Sequence, residues 1–308
     1  MTRALGLALA SISLGLLARF VLTDHGGVSA LAALGALVSA IAALARFSRS
    51  GRPLAHVFAP ALFGLLVLWA WEMLVMALHI PFILLPPPSR IAAAFASRLG
   101  MFAGDFNQTI LHAALAGYVI GNLAGFLLAL AIDRLPFIQR GLTPFATMAS
   151  AIPIVGIAPI MIMWFGFDWP SKAAVVALMT LFPMLVNTSA GLKQAGQLEG
   201  DLMRSYGAGY GATLCKLRLP AAMPLIFNAL KINSTLALIG AVVAEFFGTP
   251  IRGMGFRIST EAARMNLDVV WATIAIAALT GTLSFAALTW CERRVTFWHP
   301  AIRTRRAG

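Results

Sequence analysis

Charged side chains are scarce in this chain. Only 11% of its 308 residues are Asp, Glu, Lys or Arg, where soluble domains carry about 25%. Acid is scarcer still, with 11 Asp and Glu against 23 Lys and Arg. Hydrophobic residues make up 60%, and the mean hydropathy is +0.86. Long apolar runs with so little charge exclude a soluble fold and predict an all-α, polytopic membrane protein. Cysteine is nearly missing. Cys215 and Cys291 supply neither a disulfide framework nor a metal-ligand cluster, and both fall at predicted cytoplasmic positions, where thiols stay reduced. The five histidines, His25, His56, His79, His112 and His299, are scattered, and none pairs with an acid at ligand spacing. GxSxG, HExxH and GxxxxGKS/T do not occur, so nothing supports an intramembrane protease or a nucleotide site of the chain's own. Gly253-x-Gly255 follows no strand and is no dinucleotide fingerprint. The net charge of +12 would suggest nucleic acid in a soluble chain. Here topology explains it, and no nucleic-acid partner is expected.

Eight transmembrane helices are predicted. The first two, about 4–22 and 28–45, read as a membrane hairpin and not a cleaved leader, because the apolar run is long and no small-x-small site follows. Arg46, Arg49 and Arg52 form a basic loop that closes a region at 1–52, ahead of a main domain at 53–308. The third span is about 57–78. Residues 84–106 begin with three prolines and carry Arg90 and Arg98 on a short amphipathic helix; they read as too polar and broken to span. The fourth span is about 108–131. The fifth, about 144–166, contains Pro144, Pro153 and Pro159, tolerated where neighbours satisfy the freed carbonyls. The sixth is about 173–191, with Pro183 and Asn187 inside it. The seventh, about 225–245, holds Asn228, Lys231 and Asn233 and ends on Glu245. Residues 246–268 form a glycine-rich reentrant or surface segment, and the eighth span is about 270–290. With a cytoplasmic N-terminus, sixteen of the 23 Lys and Arg fall inside, leaving seven outside. That bias fits the positive-inside rule and puts both termini in the cytoplasm.

The sequence turns on a break at about 193–224. It carries Asp201, Arg204, Lys216 and Arg218, with glycines at 207, 209 and 211. Leu202 and Tyr206 are four apart and share a helical face. Gly207 supplies the left-handed residue that ends a first helix. Leu214 and Leu217 belong on a second short helix, which Pro220 and Pro224 stop while starting a new one. The result is an amphipathic elbow on the membrane surface.

This stretch resembles the cytoplasmic "EAA" loop of permeases in binding-protein-dependent ABC importers. That loop runs Glu-Ala-Ala, three residues, Gly-Ala, about ten residues, then hydrophobic-x-Leu-Pro. Here the matching residues are Asp201-Leu202-Met203, Gly207-Ala208 and Leu217-Arg218-Leu219-Pro220. Asp stands for Glu, and larger residues stand for both alanines. Residues 151–167, AIPIVGIAPIMIMWFGF, are similar to the matching span of the subfamily that imports nitrate, sulfonates and taurine. The resemblance covers about 57–300. It implies a type I ABC importer permease core of about six spans, preceded by an extra N-terminal hairpin, in a bacterial inner membrane. It implies no enzyme activity in this chain, with ATP and Mg bound by partner ATPase subunits. A periplasmic or lipid-anchored solute-binding protein, a second permease copy and membrane lipid complete the implied partners. The implied solute is a nitrate-, sulfonate- or taurine-like anion or a pyrimidine-type vitamin precursor.

The resemblance makes Asp201, Leu202, Tyr206, Gly207, Ala208, Leu217, Leu219 and Pro220 an ATPase-coupling loop. Asn187, Asn233 and Glu245 are candidates for the translocation path. The rival reading makes the asparagines helix-to-helix glue and makes Glu245 a cap or a partner of Arg252 or Arg257. Lys231 lies close enough to the cytoplasmic end to snorkel. The alternative function is an ion-coupled secondary transporter, which would show charged midplane residues; Glu72 is the one that stands out.

Overall fold

The computed structural model describes residues 53–135, 154–248 and 251–298, and every regular element among them is helical. The predicted hairpin at 4–22 and 28–45, the loop at Arg46 to Arg52, the basic tail and the start of the fifth span lie outside the described residues. Five stretches are long and apolar enough to cross a bilayer: Pro60–Ala77, Leu99–Arg134, Trp169–Leu192, Tyr210–Glu245 and Leu267–Val295. Gly156–Phe165 is a shorter apolar helix. They coincide with the predicted third, fourth, sixth, seventh and eighth spans and the end of the fifth. The chain is a multi-pass membrane protein.

Proximity along the backbone divides the chain into two compact units. One ends at Arg98 and takes in Glu261–Ala272; the other holds Leu99–Thr260 and resumes at Thr273. In the first, α1 (Pro53–Ala77) is followed by α2 (Pro88–Ser97). The prolines ahead of α2 prepare its start: Pro87 is extended at the N-cap and Pro88 opens the first turn, where no N–H is needed. Glu72 of α1 supplies the missing cap. The Ser89 N–H donates to its Oε2 at 2.9 Å, and the Ser89 hydroxyl donates to Oε1 at 2.6 Å. The carboxylate that an ion-coupled carrier would need free is thus bonded to a helix N-terminus. The Trp71 and Trp271 rings meet edge to face at 5.1 Å.

In the second unit, α3 (Leu99–Phe106), a π-helical stretch (Asn107–Ala114) and α4 (Leu115–Arg134) run on as one 36-residue helix. Then come α5 (Ile154–Phe165) and α6 (Trp169–Leu192). Asp168 caps α6 by accepting from the Trp169 N–H at 2.8 Å, with Pro170 in the first turn. The Gln108 amide at 2.7 Å, and then that N–H, hold the Asp168 carboxyl below its ordinary range. The elbow comprises α7 (Gln197–Ser205), α8 (Tyr210–Thr213) and a π-helical turn (Leu214–Arg218), and leads into α9 (Leu219–Glu245). The last two helices are α10 (Met254–Ala263) and α11 (Leu267–Val295).

Helix α6 is the centre of this unit, with α4 on one flank and α9 on the other. Lipid gives helices no hydrophobic reason to associate, so close backbone approach must do the work. Gly117, Gly121 and Gly125 supply it on α4. A Cβ at any of them would run into α6, at Ala173 O, at Thr180 Oγ1 with Ala177 O, and at Leu181 O respectively. Alanines play the same part elsewhere: Ala113, Ala114, Ala237 and Ala241 pack around Val176, and Ala222 and Ala229 pack with Met184, Leu192 and Ile226.

Two predicted boundaries need correction. The helix that carries the fourth span begins at Leu99, nine residues before the predicted 108. The prolines, Arg90 and Arg98 make 84–106 read as too polar and broken to span, but its last eight residues are helical and the acid among them, Asp105, is buried and engaged, so the helix runs through it. Pro220 opens a new helix, α9, as expected, but the second arm of the elbow runs into it without a break. Helix continues from Tyr210 to Glu245, with Pro224 inside it. The wide turn at Leu214–Arg218, closed by the Leu219 N–H donating to Leu214 O five residues back, shifts the register just ahead of Pro220. That proline then falls in the first turn of α9, where its missing donor costs nothing. Lys231 also departs from expectation. Its ammonium pairs with Glu292 of α11 at 2.8 Å, both side chains half-buried.

Candidate functional site

The elbow forms as its glycines dictate. Helix α7 is capped at Tyr206, and Gly207 follows with φ +70. The Gly207 N–H donates to Arg204 O at 2.9 Å and the Ala208 N–H donates to Met203 O at 3.0 Å. This is a Schellman ending, which requires a left-handed residue at the position Gly207 holds. No residue of α7 is buried. Leu198, Leu202 and Tyr206 recur every four residues on one face and are 82%, 56% and 81% exposed. Asp201 and Arg204 pair at 3.2 Å, both exposed, and such a pair contributes little. Past the turn, Ala208, Leu217, Leu219 and Pro220 are half-buried, and Leu214 and Leu219 pack on the cluster around Met184 and Ile226. The arms enclose a hollow of about 590 Å³ lined by Gln197, Asp201, Arg204, Tyr210, Thr213 and Arg218, among others.

One residue that the sequence does not single out anchors the elbow. Asp133, in the last turn of α4, accepts a two-pronged bond from Arg218: Nη1 to Oδ2 and Nη2 to Oδ1, both at 2.7 Å. The Tyr210 hydroxyl donates to Oδ2 at 2.9 Å. The Arg134 guanidinium lies 5.6 Å from the centre of the Tyr210 ring. Arg218 Nε also donates to Leu192 O at 3.1 Å, at the end of α6. The guanidinium therefore sits at the C-termini of two helices, where a cation is favoured.

At the far end of the same unit, three consecutive backbone donors are latched by side chains. The Gly253 N–H donates to Asp105 Oδ1 at 2.9 Å, the Met254 N–H to Thr109 Oγ1 at 2.7 Å, and the Gly255 N–H to Glu245 Oε2 at 2.7 Å. Thr109 in turn donates to Glu245 Oε1 at 2.7 Å, and Arg257 pairs with Asp105 at 2.7 Å. These donors open α10, so two helices cap a third. Glu245 is buried and is bonded to its own chain's backbone. The Lys172 ammonium, buried as well, donates to Phe167 O and lies within electrostatic range of Glu245.

The other two path candidates differ from one another. Asn233 is fully buried; its amide donates to Asn122 Oδ1 and to Thr180 O, each at 2.7 Å, and so joins α9 to α4 and α6. Asn187 is half-buried, donates to Pro183 O at 2.8 Å, and accepts from the exposed Asn228 at 3.4 Å. Among the described residues no group of three or more His, Cys, Asp or Glu could hold a metal ion. Substituting Asn233→Ala should cost about 1–3 kcal/mol, because the Asn122 acceptor and a helix carbonyl lose their donor. The expected result is a lower Tm in detergent with the same solute preference.

Comparison with known proteins identifies the family. The chain is 31% identical over 247 residues to the formylaminopyrimidine transport permease protein ThiX of Halalkalibacterium halodurans, covering 78% of this chain and 95% of that one. It is 28% identical over 251 residues to the taurine transport system permease protein TauC of Escherichia coli, covering 78% and 88%. It is 29% identical over 216 residues to the putative aliphatic sulfonates transport permease protein SsuC of Bacillus subtilis, covering 70% and 78%. The profile of binding-protein-dependent transport system inner membrane components matches residues 117–297. That range takes in the elbow, Asp133 and Glu245, and the chain belongs to this family of transport permeases.

Proposed function

We propose that two copies of this chain form the translocation path of an ATP-driven importer, with the elbow inside the cell as the surface that an ATPase subunit grips. This chain is the permease; ATP and Mg are bound and turned over by the ATPase partner, and an external binding protein delivers the solute. The carrying observation is the apolar face of α7. Leu198, Leu202 and Tyr206 lie exposed on a helix with no buried residue, outside the bundle and at the head of a rigid turn. Burying one such leucine in a partner groove contributes about 1.5–3 kcal/mol. Leu202→Arg should therefore cut co-purification of the ATPase subunits at least tenfold while leaving the permease in the membrane. Unchanged co-purification would sink the docking role.

Orientation has its own test. Cys215 lies on the elbow and is exposed. A membrane-impermeant thiol reagent should label it in inverted vesicles and spare it in intact cells; the reverse pattern refutes the cytoplasmic placement. For the path, Asn187 fits better than Asn233 or Glu245, because it is half-buried while they are fully buried and bonded to neighbouring elements of the bundle. The solute is a small sulfonate- or taurine-like anion or a pyrimidine-type vitamin precursor. This choice rests on the relatives, and binding of each class by the cognate solute-binding protein decides it.

A further inference from the structure

We infer that Asp133 is the positioning residue through which movement of the elbow enters the membrane bundle. The inference rests on the elbow reading above and extends it from the docking surface to the transmission path. Helix α7 has no buried residue, so force applied to it passes along the chain, on one side into the end of α6 and on the other through the Gly207 turn. Beyond that turn Leu214 packs on the Met184 cluster, and the side-chain hydrogen bonds that tie the arm to a distant helix are those of Tyr210 and Arg218, both donated to Asp133. Arg218 adds the carbonyl of Leu192. A planar two-pronged contact fixes angle as well as distance, which a single-point contact does not. Asp133 ends α4, Leu192 ends α6, and Arg218 leads into α9, and these three helices are interlocked by the glycine stripe and by Asn233. Tilting the second arm thus tilts all three as one body.

The placement of the acid argues for this role over simple stability. A carboxylate at the C-terminus of a helix is disfavoured by the helix dipole. A residue serving only to end α4 would be neutral or basic, as Arg134 beside it is. The acid sits where it receives three donors from the elbow.

Asp133→Asn keeps the shape and removes the charge; Arg218→Lys keeps the charge and removes the fork. Each is reconstituted with its ATPase and binding protein in liposomes, beside Leu202→Arg, and solute uptake and ATP hydrolysis are measured together. Asp133→Asn should bind ATPase subunits as wild type does and still hydrolyse ATP, but carry at least tenfold less solute per ATP. Arg218→Lys should lose about threefold. Wild-type stoichiometry in both overturns the inference and leaves the docking reading standing. Normal ATPase binding by Leu202→Arg sinks the docking reading itself. If Asp133→Asn fails to reach the membrane, Arg218→Lys decides alone: unaltered coupling refutes the inference, and a lowered ratio with normal assembly upholds it.

Discussion

Gly121→Leu is expected to leave no folded permease. A Cβ on Gly121 would overlap Thr180 Oγ1 and Ala177 O and come within 2.9 Å of Ala177 Cα. Two of these obstacles are backbone, so no side chain can swing aside. The α4 and α6 axes would have to part, and parting them pulls Asn122 from Asn233 and Asn233 from Thr180 O. Overpacking a core costs about 1–3 kcal/mol, occasionally more. Here it also breaks a buried polar node, where each orphaned group costs about another 1–3 kcal/mol. Against a total stability of about 5–15 kcal/mol, that decides the outcome. The check is the yield of monodisperse protein in detergent and its Tm. Gly100→Leu and Gly104→Leu serve as controls, since nothing lies within 4 Å of a Cβ at either; both should behave as wild type. A Gly121→Leu protein that melts within a few degrees of wild type would show that close helix approach is dispensable.

Glu245→Leu is expected to be the next most damaging change. The carboxylate accepts from Thr109 and from the Gly255 N–H and faces the buried Lys172. Leucine has similar bulk but no acceptor. It orphans two donors and leaves the buried Lys172 ammonium with Asp168 and the Phe167 carbonyl but without the charge of Glu245. Removing one member of a buried charged set costs about 3–5 kcal/mol. Glu245→Gln keeps one acceptor oxygen and should cost about 1–2 kcal/mol. The ordering of Tm, wild type above Gln above Leu, is the measurement. A Leu variant as stable as the Gln variant would mean that the latch on Gly253 to Gly255 holds without the acid.

What could be read in advance was what is local. The elbow was legible because Gly207, Leu202 and Tyr206 signal through short spacings, and the Schellman ending needs only those. Most spans were legible because apolar length is a property of one segment. The two misplaced boundaries have one cause. Asp105 and Pro220 each carry a local signal against helix, and each is outvoted by a contact or a register shift that depends on distant or neighbouring structure: Arg257 and the Gly253 N–H for the acid, the turn at Leu214–Arg218 for the proline. Asp133 was invisible for the same reason. It is 85 residues from Arg218 in sequence, and an acid just past an apolar run looks like ordinary interfacial charge. Glu72 looked like a midplane charge because hydropathy cannot see that Ser89 comes back to meet it.

The 36 residues of Leu99–Arg134 have a geometrical consequence. At 1.5 Å per residue they reach about 54 Å, well beyond a hydrocarbon slab of about 30 Å. Asp105 and Asp133 sit near opposite tips, about 42 Å apart along the axis. A seesaw of about 10° around the midpoint would carry each tip through roughly 4 Å, more than enough to separate a hydrogen-bonded pair. One rod therefore carries the elbow's anchor at one tip and a cap of the loop before α10 at the other.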